Sequence, residues 1–102
     1  MISVVASTTF ISKCKGKYSE TEIEELIETI GSNPKNGHKL QSVGCVYRHA
    51  WSRTANSKHE YDVYYVFHSA SSPILIVNLF KRGEKDVLTK VIACLAEEAI
   101  CN

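Results

Sequence analysis

Net charge is what this sequence has least of: 12 Lys and Arg stand against 11 Asp and Glu in 102 residues. Domains held on nucleic acid by bulk charge carry a clear basic excess, so any such contact here has to come from local patches. The four cysteines, Cys14, Cys45, Cys94 and Cys101, form no CxxC pair and no Cys–His spacing of the zinc-site kind, so neither a metal nor another cofactor is expected. No repeat or low-complexity tract occurs. With 44% hydrophobic and 23% charged residues, a fibrous or disordered chain is excluded. The opening run Met1-Ile2-Ser3-Val4-Val5-Ala6 has no basic leader and is too short for a signal h-region or a membrane span. A cytoplasmic protein without a membrane partner is therefore expected. The length suits one domain over residues 1–102, with a core that buries roughly two-thirds of the unfolded chain's surface.

What is present is a sequence of short, well-punctuated elements. Ile2 to Ala6 reads as a first strand. Ser7, Thr8 or Thr9 then caps a brief helix in which Phe10, Ile11 and Cys14 share a face and which Gly16 ends. Ser19 and Glu22 make a capping box, with Tyr18 and Ile23 in the staple positions beside it. Ile23, Leu26, Ile27 and Ile30 follow at helical spacing, and Gly31 stands where a left-handed C-cap is expected. Asn33-Pro34-Lys35-Asn36-Gly37 turns the chain into three β-prone segments, Val43 to Trp51, Tyr61 to His68 and Ile74 to Lys81. They are expected to pair as an antiparallel meander, with the last and most apolar one central. In the first of them Tyr47, His49 and Trp51 alternate with Val46, Arg48 and Ala50, and the pattern leaves open which face meets the helices. Gly83 and Asp86 open a final helix with an apolar stripe of Val87, Leu88, Val91, Ile92 and Leu95, which either closes on the sheet or awaits a partner. Cys94 and Cys101, about two helical turns apart, are too far apart to bridge, and Cys94 is expected as a buried thiol.

The near-zero total charge conceals a local polarity. Between Val43 and Arg82 there are five bases (Arg48, Arg53, Lys58, Lys81, Arg82) against two acids (Glu60, Asp62), a balance of +3. Ser19 to Gly31 carries five Glu and no base, a balance of −5, best read as a solvated helix face. A basic sheet beside an acidic helix points to RNA phosphate as a ligand of the sheet.

The order of these pieces resembles the RelE/ParE superfamily of bacterial toxin-antitoxin toxins, and within it the HigB-like branch. The resemblance covers essentially the whole chain. It rests on Ser7-Thr8-Thr9-Phe10, the Asn33 to Gly37 turn, Gly44 within Val43 to Arg48, the pair Tyr64-Tyr65, and Lys81 five residues before Asp86. It implies an α+β fold, RelE-like: a meander of three to four strands plus a short N-terminal strand, packed against two N-terminal helices and one C-terminal helix. It also implies a cytoplasmic mRNA interferase, an endoribonuclease that inhibits translation by cutting messenger, usually on the ribosome, and is silenced by a cognate antitoxin protein. Such a reaction needs no metal: the 2′-hydroxyl attacks the adjacent phosphate while the protein supplies a base, an acid and cations. On this reading Arg48 and Lys81 carry the phosphate charge, and His49 or His59 moves the proton, since imidazole titrates near neutrality. Arg53, Lys58, Tyr64 and Arg82 would bind RNA, Tyr64 by stacking on a base.

Three positions in the meander depart from the HigB-like pattern. Tyr47 and Ala50 stand where basic residues are usual, and Asp62 replaces a phosphate-binding cation with a carboxylate. These departures favour a second reading, a catalytically degenerate relative that only binds an antitoxin or another protein. A third is inhibition of DNA gyrase, as in the ParE branch.

Overall fold

The computed structural model describes residues 2–40, 45–51 and 61–101. Expectations that fall on Val43, Gly44 and the loop with Arg53, Lys58 and His59 lie outside these residues. The elements are β1 (Val4–Ala6), α1 (Thr8–Cys14), α2 (Glu20–Ser32), a 3-10 turn (Pro34–Asn36), β2 (His38–Lys39), β3 (Val46–Trp51), β4 (Tyr61–Val66), β5 (Ile74–Lys81) and α3 (Val87–Cys101). They form a small α+β domain with one five-stranded mixed sheet in the order β1-β5-β4-β3-β2. The strands β2 to β5 run antiparallel, and β1 adds a short parallel edge on β5. This is the architecture expected from the order of elements. β5 is an interior strand, though β4 is the middle one, and the two-residue β2 had no legible pattern.

The alternation of β3 resolves toward α1 and α2. On that face Tyr47 and Trp51 are buried and His49 half-buried, while on the other Val46 is buried and Arg48 and Ala50 are exposed. Among the described residues, only β4 and β5 are covered on both sides. Phe10 and Cys14 of α1 and Leu26 and Ile30 of α2 pack with Tyr47, Trp51, Val63, Tyr65, Ile74, Ile76 and Leu79 on one face of the sheet. Val91 of α3 packs with Val46, Tyr64, Val66, Val77 and Phe80 on the other. A strand buried on two sides loses the apolar-polar alternation that a half-exposed strand shows. The two cores together account for the mainly apolar reading of β5.

Local chemistry explains the boundaries. Ser7 is the N-cap of α1, its hydroxyl accepting from the Phe10 N–H, and Gly16 follows the helix at φ +78°. Ser19 and Glu22 close a full capping box on α2. Tyr18, beside that cap, stacks on Trp51 with ring centroids 3.7 Å apart and planes within 7°. The expected C-cap at Gly31 is corrected, because the helix runs on through Ser32, and Asn33 donates its N–H to Thr29 O. Gly31 is buried inside the last turn, where its carbonyl accepts from the Ile2 N–H. Pro34 is what stops the helix, since the residue before a proline is driven out of the α region, and Asn33 sits at φ −148°, ψ 73°.

Asn78, the polar break in β5, marks a β-bulge. Tyr64 pairs with Asn78 while Tyr65 pairs with Ile76, so Val77 is the extra residue. Asn78 is 3% exposed and satisfied: its Oδ1 accepts from the Leu79 N–H at 2.8 Å and its Nδ2 donates to Cys94 Sγ at 3.3 Å. Cys94 is half-buried rather than buried, as the thiol that receives this amide. Beyond the end of β1, α1 guards the free edge of β5. Ser7 Oγ donates to Val77 O at 2.5 Å, and Lys13 Nζ donates to Leu79 O at 3.1 Å.

Candidate functional site

The register of the sheet decides which cations meet. Arg48 pairs with Tyr64, and Tyr64 belongs to the core under α3. Lys81 pairs with Tyr61 and stands two residues after Leu79, both on the face under α1 and α2. Side chains alternate along a strand, so Arg48 and Lys81 leave opposite faces of the sheet. The expectation that they grip one phosphate together is corrected on that ground. Asp62 is two residues from Tyr64 on β4, opposite Ala50, and so shares the face of Arg48.

Arg48 is exposed and donates a hydrogen bond to the Tyr64 hydroxyl. Burial and the nearby Asp62 push the Tyr64 phenol up, and the Arg48 charge and hydrogen bond oppose them. The Tyr64 ring is 6% exposed and lies edge-on to Phe80 with centroids 5.8 Å apart. A base has no room to stack there, so its expected role as a stacking platform is corrected. His49 is half-buried on the other face, between Tyr47 and Trp51 along β3 and opposite Val63. Burial holds its imidazole below the ordinary value, against the pull of Asp62. From β3 to β5 is two strand spacings, roughly 10 Å, so His49 is remote from Lys81 even on the shared face. Arg82 is exposed and is the first residue past β5, in the turn where Gly83 takes φ +81°. His59, Arg53 and Lys58 lie outside the described residues.

The cations that do converge include two that sequence reading passed over. Lys13, Lys17 and Lys81 line one open concavity of about 260 Å³ with Tyr61, Leu79, Phe80 and Glu84. Lys13 is partly spent on the fold, donating to Leu79 O and lying 4.1 Å from the centroid of the Phe80 ring. Its burial lowers the ammonium's pKa, with Glu84 opposing. Lys17 Nζ donates to Lys13 O at 3.2 Å. Glu84 accepts from Lys90 Nζ at 2.7 Å, and that bond holds its carboxyl below the ordinary value. The cluster suits an anion and, among the described residues, holds no imidazole. The spacing Lys13-x-x-x-Lys17 at the end of a short amphipathic helix was the available signal.

Among the described residues no group of three His, Cys, Asp or Glu side chains is placed to hold a metal ion. Nor is any described helix long and apolar enough to cross a membrane. Leu88 and Ile92, one turn apart on α3, are 39% and 49% exposed, whereas Val87, Val91 and Cys94 pack down on the sheet. The expected stripe thus divides: part of it closes the core and part faces out. A scan against protein-family models and a search of curated proteins each returned no match to this chain.

Proposed function

We propose that this chain is a toxin-like protein of the RelE/ParE kind that works by binding a cognate partner protein, an antitoxin of the toxin-antitoxin sort, and has lost the RNA-cutting constellation of that group. The observation that carries this reading is the divergence of Arg48 and Lys81 to opposite faces, with Asp62 on the face of Arg48. Stabilising a phosphorane needs preorganised cations within hydrogen-bond reach of the same oxygens. A carboxylate near one of two separated cations works against that. The exposed pair Leu88 and Ile92 supports a protein ligand, because an amphipathic helix face left in water is commonly completed by another chain.

The test is expression of the chain in bacteria with and without the open reading frame beside it, followed by co-purification and by inspection of messenger. A stable complex with the neighbour's product and intact messenger is the expected result. Cleaved messenger, relieved by the neighbour, would return the protein to the RNA interferases.

One observation favours that second reading, the mRNA interferase. Lys13, Lys17 and Lys81 meet in a concavity that a phosphodiester could enter, and Tyr61 is the hydroxyl within it. Loss of RNA cleavage in Lys17→Ala and Lys81→Ala, with Arg48→Ala unaffected, would identify this rim rather than the Arg48 face as the working surface.

A further inference from the structure

Cys45 and His68 form a second cluster that the proposed function does not use. Cys45 lies in the turn before β3, and its carbonyl accepts from the Phe67 N–H at 3.0 Å, which brings the following residue, His68, alongside. Cys45 Sγ is 3.7 Å from His68 Nε2. Both side chains line an open concavity of about 640 Å³ together with Lys35, Lys39, Tyr47 and Phe67, with no acidic residue among the described lining. Lys35 and Lys39 are exposed and held in place by the turn and by β2.

The other described thiols are placed differently. Cys14 is fully buried, and burial pushes its thiol up to about 11. Cys94 accepts the Asn78 amide under α3. Of Cys14, Cys45 and Cys94, Cys45 is the one with an imidazole at hydrogen-bond distance and two ammonium groups around an opening wide enough for a small molecule.

We infer that Cys45 is a modification site: it forms mixed disulfides with anionic low-molecular-weight disulfides, of the class of carboxylate-bearing peptide disulfides. The Cys45 thiol gives its proton to His68 Nε2 as the sulfur attacks one sulfur of the incoming disulfide. The S–S bond of the reagent breaks as the Cys45–S–S–R bond forms, and the departing RS⁻ takes the proton back from the imidazolium. The incoming disulfide is the oxidant and is itself reduced to one thiol, so the exchange balances without another reactant. Lys35 and Lys39 draw the carboxylates into the opening, and the rings of Tyr47 and Phe67 floor it. This inference is independent of whether the protein cuts RNA or binds a partner.

Two reagents separate the contributions. The reduced full-length chain is treated with less than one equivalent of dithiobis(nitrobenzoate), which is dianionic, or of dithiodipyridine, which is neutral, and the labelled peptide is identified by mass spectrometry. Cys45 is expected to carry the first label. In Lys35→Ala/Lys39→Ala, both surface positions, the reaction with the dianion should slow about tenfold while the neutral reagent changes by less than about twofold. His68→Gln, also exposed, should slow both reagents. Circular dichroism of Cys45→Ser is expected to match the parent, which separates lost reactivity from lost folding. First labelling at any other cysteine, or a dianion rate indifferent to the two lysines, overturns the inference.

Discussion

Gly37 and Tyr65 meet so closely that neither residue type is free to change alone. The Tyr65 hydroxyl donates to Pro34 O at 2.6 Å and accepts from the Gly37 N–H, pinning the Asn33–Gly37 turn onto the middle of the sheet. A Cβ on Gly37 would lie 2.6 Å from that hydroxyl and 3.0 Å from Arg48 O. Gly37→Ala is therefore expected to cost roughly 1–3 kcal/mol by overpacking. Tyr65→Phe should cost about 1 kcal/mol for the lost hydrogen bond, and in that background the penalty of Gly37→Ala should shrink because the clashing oxygen is gone. Urea unfolding of the four proteins measures the coupling, and strict additivity would show that the hydroxyl is not the obstacle.

Ser7 holds two structures together with one oxygen, accepting from the Phe10 N–H as a helix cap and donating to Val77 O at the bulge. Ser7→Ala removes both and leaves a buried carbonyl unpaired, so a loss of roughly 2 kcal/mol in denaturant unfolding is expected. A loss under about 0.5 kcal/mol would mean that the edge of β5 finds another donor.

The divergence of Arg48 and Lys81 predicts independence. For RNA binding measured by titration, the effects of Arg48→Ala and Lys81→Ala should add within about 0.5 kcal/mol, as for sites with no shared ligand. An interaction energy well beyond that would place both cations on one phosphate and contradict the arrangement of faces.

His49 gives the fold a pH dependence with a defined sign. Its folded-state pKa is lowered by burial, so the folded form disfavours the proton that the unfolded chain accepts near the ordinary value of about 6.5. Stability from this group is complete above that value and declines as pH falls from it toward the lower folded pKa. His49→Gln should flatten the stability profile in this acid window and leave the rest unchanged. An equal slope in the variant would assign the effect to other groups.

The exposed residues on α3 predict a separation of stability from association. Leu88→Glu and Ile92→Glu should change unfolding free energy by less than about 0.5 kcal/mol, since neither side chain closes the core. The same changes should weaken co-purification with the neighbouring gene's product, read by pull-down from bacteria that express both.

Much of this architecture was present in local residue patterns, because capping and proline chemistry act over only a few positions. Ser19 and Glu22 announced their box and the Ser7-Thr8-Thr9 run announced a cap for α1 without singling out Ser7, while the end of α2 was read at Gly31 rather than at Pro34. The span of β5 and the apolar face of α2 were equally legible, since periodicity survives in any single element. Pairing between distant segments decided the rest. Nothing in Val4–Ala6 says that it runs parallel to Ile74–Ile76, and nothing in Val46–Trp51 says that its Tyr47–Trp51 face meets the helices while Arg48 and Ala50 stay open. Whether two cations meet depends on register and on the parity of a strand, and one extra residue at Val77 shifts that parity along β5. Thus Arg48 and Lys81, both visible in the chain, were separated by the sheet, while Lys13 and Lys17 were carried to Lys81, and Cys45 to His68, by contacts between segments far apart in sequence.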